Sequence, residues 1–319
     1  MGLEINSAVL RRLAAGVTAI AMLVGAATLL GFLARYGWSL ELLSHFRVQY
    51  FWLLAGCGCA LITLRRGKLA TCGLVLALVN LVLIVPLYFG PAPPPGERAT
   101  LRAMMLNVYW LNRDHARVLE LIRRESPDFI MLAEVTDEWA EALTALQTDY
   151  PYSKVISGYT AGGVAFFSRL EMAELAIRDL GDNGLPTVVA TLKTSEGEIT
   201  VVGTHPPSPG SPQHLKDRNR QLAGLGRMVR NRTGPIIVLG DLNTTSWSPY
   251  FQDLLAASGL RDSRRGFGIQ ASWPALPLPL RIPIDHCLIS KELLVHDRRI
   301  GPSVGSDHRA VIVDFSVQK

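Results

Sequence analysis

Three long apolar runs at the N-terminus restrict this chain more than any other feature. Leu13–Ala34, Val48–Leu64 and Leu69–Gly90 extend for 22, 17 and 22 residues without a charged side chain. A helix that crosses a bilayer needs roughly 20 apolar residues, within a range of about 17–25. They are also the source of a mean hydropathy of +0.23, high for 319 residues. A purely cytosolic enzyme is excluded. So is a disordered chain, since only 18% of residues are charged. The first run is too long for the apolar part of a signal peptide, about 7–15 residues, and two more follow, so it reads as an anchor.

Charge divides the chain in the same way. Residues 1–96 hold seven of the 32 Lys/Arg but only two of the 27 Asp/Glu, leaving 25 of each beyond them. The pI of about 9.1 therefore comes from basic residues flanking apolar runs and does not signal nucleic-acid binding. Lys216–Arg232 and Arg261–Arg265 are the remaining local clusters, read by default as a solvated helix face and a loop. Lys/Arg near the N-terminus and in the Arg65–Lys68 loop number five, against four (Arg35, Arg47, Arg98, Arg102) on the other side. With three spans, that bias points to an inside N-terminus and an extracytoplasmic C-terminal domain. Cys57, Cys59 and Cys72 sit in apolar runs and Cys287 is alone, so no disulfide framework or metal spacing is expected.

The expected organisation is a membrane anchor over 1–90, a stiff Pro-rich connector over 91–97 and a catalytic domain over 98–319. Proline fixes φ, so Gly90-Pro-Ala-Pro-Pro-Pro-Gly96 reads as extended. Beyond it, strands are expected at 101–109, 128–135, 163–168, 187–193, 199–204, 235–239, 284–289 and 310–315. Helices are expected at 115–124, 138–146, 213–230 and 251–257. Several strands follow one another without a helix, which argues for packed mixed sheets in an α/β domain.

Polar residues interrupt or end these strands. Asn107, Glu134, His205, Asp241, Asn243, Asp285, Asp307 and His308 all do so. Buried unpaired charge costs several kcal/mol, so such repetition needs a purpose. Carboxylates with histidines are the composition of a divalent-metal hydrolase site. His286, next to Asp285, should point away from that site by strand alternation and serve the structure.

In this order the residues resemble the endonuclease/exonuclease/phosphatase superfamily, which includes deoxyribonuclease I, apurinic endonucleases, sphingomyelinases and inositol-polyphosphate phosphatases. The matching pieces are Leu106-Asn-Val108, Ala133-Glu134, Gly162-Gly-Val-Ala165 with Ser168-Arg169, and Thr204-His205. Gly240-Asp-Leu-Asn243, Ile284-Asp-His286 and Ser306-Asp-His-Arg309 complete them. Ala133 stands where many relatives have Gln. The resemblance implies a four-layer α/β sandwich. It implies Mg²⁺, with Mn²⁺ as the other option, held by Glu134 with Asn107 and Asp307. It makes His308 the general base, oriented by Asp285. Asp241 then positions the nucleophile or the leaving-group proton, Asn243 bonds a phosphate oxygen, and His205 stabilises the transition state or acts as the acid.

With its anchor the chain looks like bacterial multi-pass inner-membrane members of that superfamily, such as the teicoplanin-resistance membrane proteins. That likeness implies an extracytoplasmic phosphohydrolase whose partners are the bilayer and a lipid-linked phosphate or pyrophosphate. A nuclease using the same residues would need a basic groove from the two clusters named above, and is not favoured. A catalytically dead scaffold has no reason to keep every catalytic group. No protein partner can be inferred. The apolar stretch Ser272–Leu280 beside Asp285 reads either as a covering loop or as a lip touching acyl chains through Leu276, Leu278 and Leu280.

Overall fold

The computed structural model describes residues 7–91, 98–275 and 279–318. Most of the Pro-rich connector, and Leu276 and Leu278 of the proposed lip, lie outside the described residues. The chain forms two compact units, Met1–Pro86 and Leu87–Lys319.

The first unit contains α1 (Ser7–Leu30), α2 (Trp38–Leu42), α3 (Arg47–Thr63) and α4 (Gly67–Ile84), joined in part by 3-10 turns. They make three helical stretches long and apolar enough to cross a membrane: Ala8–Tyr36, Trp38–Thr63 and Gly67–Tyr88. The middle stretch is longer than its uncharged core because residues 38–47 join it, carrying Glu41, His45 and Arg47 inside. These polar groups are paired, as a lipid environment requires. Arg47 Nη1 donates to the Thr28 carbonyl at 2.8 Å, Asn80 Nδ2 donates to Thr28 Oγ1 at 3.0 Å, and His45 contacts Glu41 at 3.1 Å. Gly31 leaves room for the guanidinium, since a Cβ there would lie 2.8 Å from Arg47 Nη2.

In the second unit the order is β1 (Leu101–Asn107), α5 (His115–Glu125), β2 (Phe129–Ala133), α6 (Asp137–Leu143), β3 (Tyr152–Ile156) and β4 (Val164–Ser168). Then come β5 (Met172–Asp179), β6 (Pro186–Thr194), β7 (Gly197–Gly203), α7 (Pro212–Arg230), β8 (Ile236–Asp241), α8 (Pro249–Ser258), β9 (Arg261–Asp262) and β10 (Asp285–Ile289). The chain closes with β11 (Leu293–Ile300) and β12 (Val311–Val317). One six-stranded sheet runs β11-β12-β1-β2-β4-β3, the other β5-β6-β7-β8-β10-β9. Both are mixed, with β1/β2 and β7/β8 parallel.

The central strands are apolar on both faces because both faces are covered. Along β1, Ala103 and Met105 join Met131, Phe166, Val201, Leu239 and Cys287 in the core between the sheets. Met104 and Leu106 face the other way, onto Val118, Leu121, Ile122 and Trp139 of α5 and α6. Val202, Val238 and Leu288 of the second sheet pack on Leu222, Leu225, Phe251 and Leu254 of α7 and α8. The result is the expected α/β/β/α sandwich. β3, β5, β11 and the two-residue β9, which falls in the cluster read as a loop, differ from the strands expected from the sequence. β3 and β5 are edge strands with exposed polar residues, and β11 carries His296, Asp297, Arg298 and Arg299, so none shows a continuous apolar run.

Register sets one end of the sandwich apart. β1, β2, β7 and β8 finish there, and their antiparallel neighbours β4, β10 and β12 begin there, with Asp285 opposite Asp241 and Val164 opposite Ala133. α7 and α8 start just beyond that end, N-capped by Ser211 and Ser248 with a proline following each cap.

Candidate active site

At that end all eight polar residues singled out in the sequence join one network. Asn107, the last residue of β1, donates from Nδ2 to Glu134 Oε1 at 2.9 Å and to Asp241 Oδ2 at 3.0 Å. Its Oδ1 accepts the Tyr109 amide at 2.9 Å. Glu134 follows β2 with φ of +60° and also accepts the Trp110 amide at 3.2 Å. His205 bridges the sheets' ends: Nε2 lies 3.6 Å from Glu134 Oε1, and Nδ1 donates to the Asp241 carbonyl at 3.1 Å. Asn243, with φ of +49°, donates its backbone N–H to Asp241 Oδ1 at 2.9 Å and its amide to the Pro206 carbonyl at 3.0 Å. His308 Nδ1 donates to Asp285 Oδ2 at 2.9 Å, and its Nε2 lies 3.7 Å from Asp241 Oδ2 and 3.9 Å from Asp307 Oδ1.

The charge states follow from this packing. Burial alone would raise the Glu134 carboxyl, but His205, Asn107 and the Trp110 amide together bring it down to about 2. Burial disfavours imidazolium at both histidines. Glu134 and Asp241 nevertheless raise His205 to about 9, and Asp285 and Asp241 raise His308 to about 10. Asp241 is pushed up, first by burial and then by Asp285 beside it. Burial likewise raises Asp307.

Two carboxylate oxygens here, Asp285 Oδ1 and Asp307 Oδ1, are buried without a hydrogen-bond partner. Such atoms are costly unless something positive meets them. Ligand atoms of Asp241, Asp285 and His308 also lie within 4.8 Å of one another. Carboxylate and amide oxygens suit a hard divalent cation, so the residues fit a metal. Two neighbouring sets could hold it: Glu134 with Asn107 and Asp307, or Asp241 with Asp285 and His308. As placed, Asn107 turns its NH₂ rather than its oxygen to Glu134, because two neighbouring carboxylates call for donors.

Several supporting residues escaped the sequence analysis. Ser306 Oγ donates to the Asn107 carbonyl at 2.7 Å and accepts the His308 amide at 2.9 Å, joining the two sheet-end loops. Ser272 Oγ accepts the Asp285 amide at 3.3 Å, and Trp273 Nε1 donates to Asp307 Oδ2 at 3.0 Å. Arg218 is a correction. Expected on a solvated helix face, it is buried in α7 and donates to the Asn243 carbonyl at 2.8 Å. Arg264 is another: it is buried and paired with Asp262 at 2.8 Å, while Arg261 binds the carbonyls of Ser290, Lys291 and Leu293. Neither arginine cluster is thus wholly solvated. Gly240 has a steric reason, since a Cβ there would meet the Thr204 carbonyl at 2.1 Å.

His286 points away from the site, as alternation requires. It is buried against Phe251, with ring centroids 4.5 Å apart, and its Nε2 donates to the Thr244 carbonyl at 2.8 Å. Burial, then the Arg264 charge, holds it down at about 3. The unfolded chain therefore binds a proton here between the ordinary value of 6.5 and about 3 that the folded chain does not. Stability from this residue is intact above 6.5 and declines as pH falls, at up to about 1.4 kcal/mol per pH unit. His286→Gln, which keeps a donor for Thr244, should flatten that decline. Denaturant titrations of both proteins at pH 7 and 4.5 in EDTA measure it, and parallel declines would refute it.

The sequence profile described as the Endonuclease/Exonuclease/phosphatase family matches residues 106–308. Among curated proteins, none matches the chain at a significant level of sequence similarity. Similar solved structures include an endonuclease/exonuclease/phosphatase from Beutenbergia cavernae, 20% identical over 70% of this chain and 72% of that one, with a TM-score of 0.55. The human nocturnin catalytic domain with bound sulfate is 21% identical over 68% and 94%, at 0.56. The 3′ phosphatase NExo from Neisseria, bound to a product DNA hairpin, is 22% identical over 68% and 100%, at 0.57. At these identities the likeness establishes the fold of the second unit.

Proposed function

Since the chain belongs to the endonuclease/exonuclease/phosphatase family, whose members hydrolyse phosphoester bonds and typically depend on a divalent metal, we propose that it is a membrane-anchored phosphohydrolase. Its substrate is a lipid-linked phosphate or pyrophosphate, and its metal is Mg²⁺ or Mn²⁺. The observation that carries this reading is the joining of Asn107, Glu134, His205, Asp241, Asn243, Asp285, Asp307 and His308 in one network. Three membrane-length helices in the same chain favour a substrate held in the bilayer, where a tether raises its effective concentration. The charge bias of the N-terminal segment favours a catalytic unit outside the cytoplasm, and the likeness to bacterial membrane-anchored members of the family favours an inner-membrane location.

In this mechanism Glu134, Asp307 and, once its amide turns over, Asn107 hold the cation. When bound, the cation would polarise a phosphate oxygen and offset negative charge in the site. His308, held protonated chiefly by Asp285 and Asp241, would be free to act in its neutral form once those charges are offset. Neutral His308 then takes the proton of the attacking water at Nε2, while Asp285 holds Nδ1–H and stabilises the imidazolium that forms. Asp241, 3.7 Å from His308 Nε2, orients that water. Asn243 donates to a non-bridging oxygen. His205, protonated between Glu134 and Asp241, balances charge in the transition state or protonates the leaving oxygen.

A nuclease would need a basic groove, and the burial of Arg218 and Arg264 removes one arginine from each of its two candidate sources. The test is the full chain in nanodiscs with Mg²⁺, assayed for phosphate release from a polyprenyl pyrophosphate and for plasmid nicking. EDTA-sensitive phosphate release without nicking is expected. Nicking that disappears in a His308→Ala chain, with no phosphate release, would overturn the lipid substrate.

A further inference from the structure

The two ends of the sandwich differ in what their loops expose. At the site end, loop 108–114 carries Leu111 at 47% exposure, loop 157–163 carries Tyr159 at 96%, and the loop before β10 carries Leu280 at 62%. These three loops come from different parts of the chain, and each is tied to the site. The residue before Leu111, Trp110, bonds Glu134. Gly158, beside Tyr159, donates its amide to Val135 at 3.0 Å. Trp273, earlier in the loop of Leu280, bonds Asp307. At the opposite end the turns at 169–171, 195–196, 231–235 and 290–292 expose no large hydrophobic side chain. They carry Arg169, Glu171, Glu196, Arg232, Lys291 and Glu292. Beyond Gly90, among the described residues, every exposed large hydrophobic that a loop carries lies at the site end.

Single exposed apolar residues are ordinary on a protein surface. Three of them on separate loops around one polar site are a patterned surface, whereas the opposite end exposes Tyr152, at the start of β3, and none on the turns named above. Tyrosine and leucine are side chains suited to the boundary between headgroups and acyl chains. The same chain contains three helices able to cross a membrane, so a bilayer surface is always at hand for the second unit.

We propose that Leu111, Tyr159 and Leu280 form a rim that inserts into the bilayer surface and admits substrate to the site from the membrane plane. The proposal rests on the lipid-phosphate reading above and extends it from the tether to the mouth of the site.

The test has two independent arms, both on the full chain in lipid nanodiscs. In the first, a chain with Leu111→Ser, Tyr159→Ser and Leu280→Ser is compared with wild type on a bilayer-embedded polyprenyl pyrophosphate and on soluble bis(p-nitrophenyl) phosphate. Turnover of the embedded substrate should fall about tenfold or more, with the soluble ester unchanged. Equal losses on both would overturn the rim. In the second, an environment-sensitive dye is placed on Tyr159→Cys or, as a control at the opposite end, on Lys291→Cys. Both are made with Cys57, Cys59 and Cys72 replaced by Ser, Cys287 being buried. Lipids bearing a nitroxide near the headgroup should quench the first dye much more than the second. Equal quenching would overturn the rim. Because this arm needs no turnover, it decides the proposal even if the lipid substrate proves wrong.

Discussion

A His308→Ala chain should keep its metal and lose about two to four orders of magnitude in kcat, the range that positioned acid–base groups contribute. The network's other histidine is engaged elsewhere. His205 already binds Glu134 through Nε2 and the Asp241 carbonyl through Nδ1. The substitution also strips Asp285 Oδ2 of its partner at 2.9 Å, while Oδ1 has none. A buried carboxylate left bare costs about 3–5 kcal/mol, so a drop in stability accompanies the loss of activity. The two effects separate in a double-mutant cycle with Asp285→Ala. If His308 and Asp285 act as a unit, the double substitution is hardly slower than His308→Ala alone. Stability should recover in the double variant, because the bare charge is gone. Steady-state rates and denaturant titrations of all four proteins read both quantities. Additive losses in kcat would mean that Asp285 does not work through His308.

Residues that end an apolar strand were legible because burial makes them expensive. Asn107, Asp241 and Asp285 sit at strand ends whose neighbours are fully buried, and no bland role accounts for them together. Their spatial meeting was legible only through the resemblance. Asn107 lies 134 residues from the Asp241 it touches, and nothing local encodes that contact. His286 was read correctly from alternation alone, since β10 begins at Asp285 and the next side chain must face α8. Arg218, Arg264 and Arg298 were illegible for the opposite reason. An arginine in a polar segment looks solvated, whereas these three are buried and held by carbonyls, a carboxylate or other side chains. The expected lengths of the apolar runs were likewise cut at Arg47, because a charge inside a span is rare. Here Thr28, Asn80 and the gap at Gly31 accommodate it, so the helical stretch begins at Trp38. β5 was missed because its exposed faces leave no hydrophobic period to detect.

Glu134→Gln distinguishes the two candidate metal sets and should have the largest effect on cation affinity. Gln is close to isosteric, and its single amide oxygen can still accept either from Asn107 Nδ2 or from the Trp110 amide, which meet the two Glu134 oxygens at 2.9 and 3.2 Å. The substitution therefore removes a charge with little change of shape. Two unit charges about 4 Å apart interact by about 4 kcal/mol at an effective dielectric of 20. For a divalent ion in direct contact the loss is at least of that order, or roughly three decades in Kd. Metal-induced thermal stabilisation should disappear with it, because that gain depends on the ratio of free metal to Kd. The comparison is Asp241→Asn, which removes a charge from the other set and leaves Glu134 in place. If Glu134, Asn107 and Asp307 hold the ion, calorimetric titration with Mn²⁺ shows the large loss in Glu134→Gln and a smaller one in Asp241→Asn. The reverse order would move the ion to Asp241, Asp285 and His308. His308 Nε2 would then be a ligand rather than a base, and His205, buried between Glu134 and Asp241, would be the remaining histidine able to move a proton.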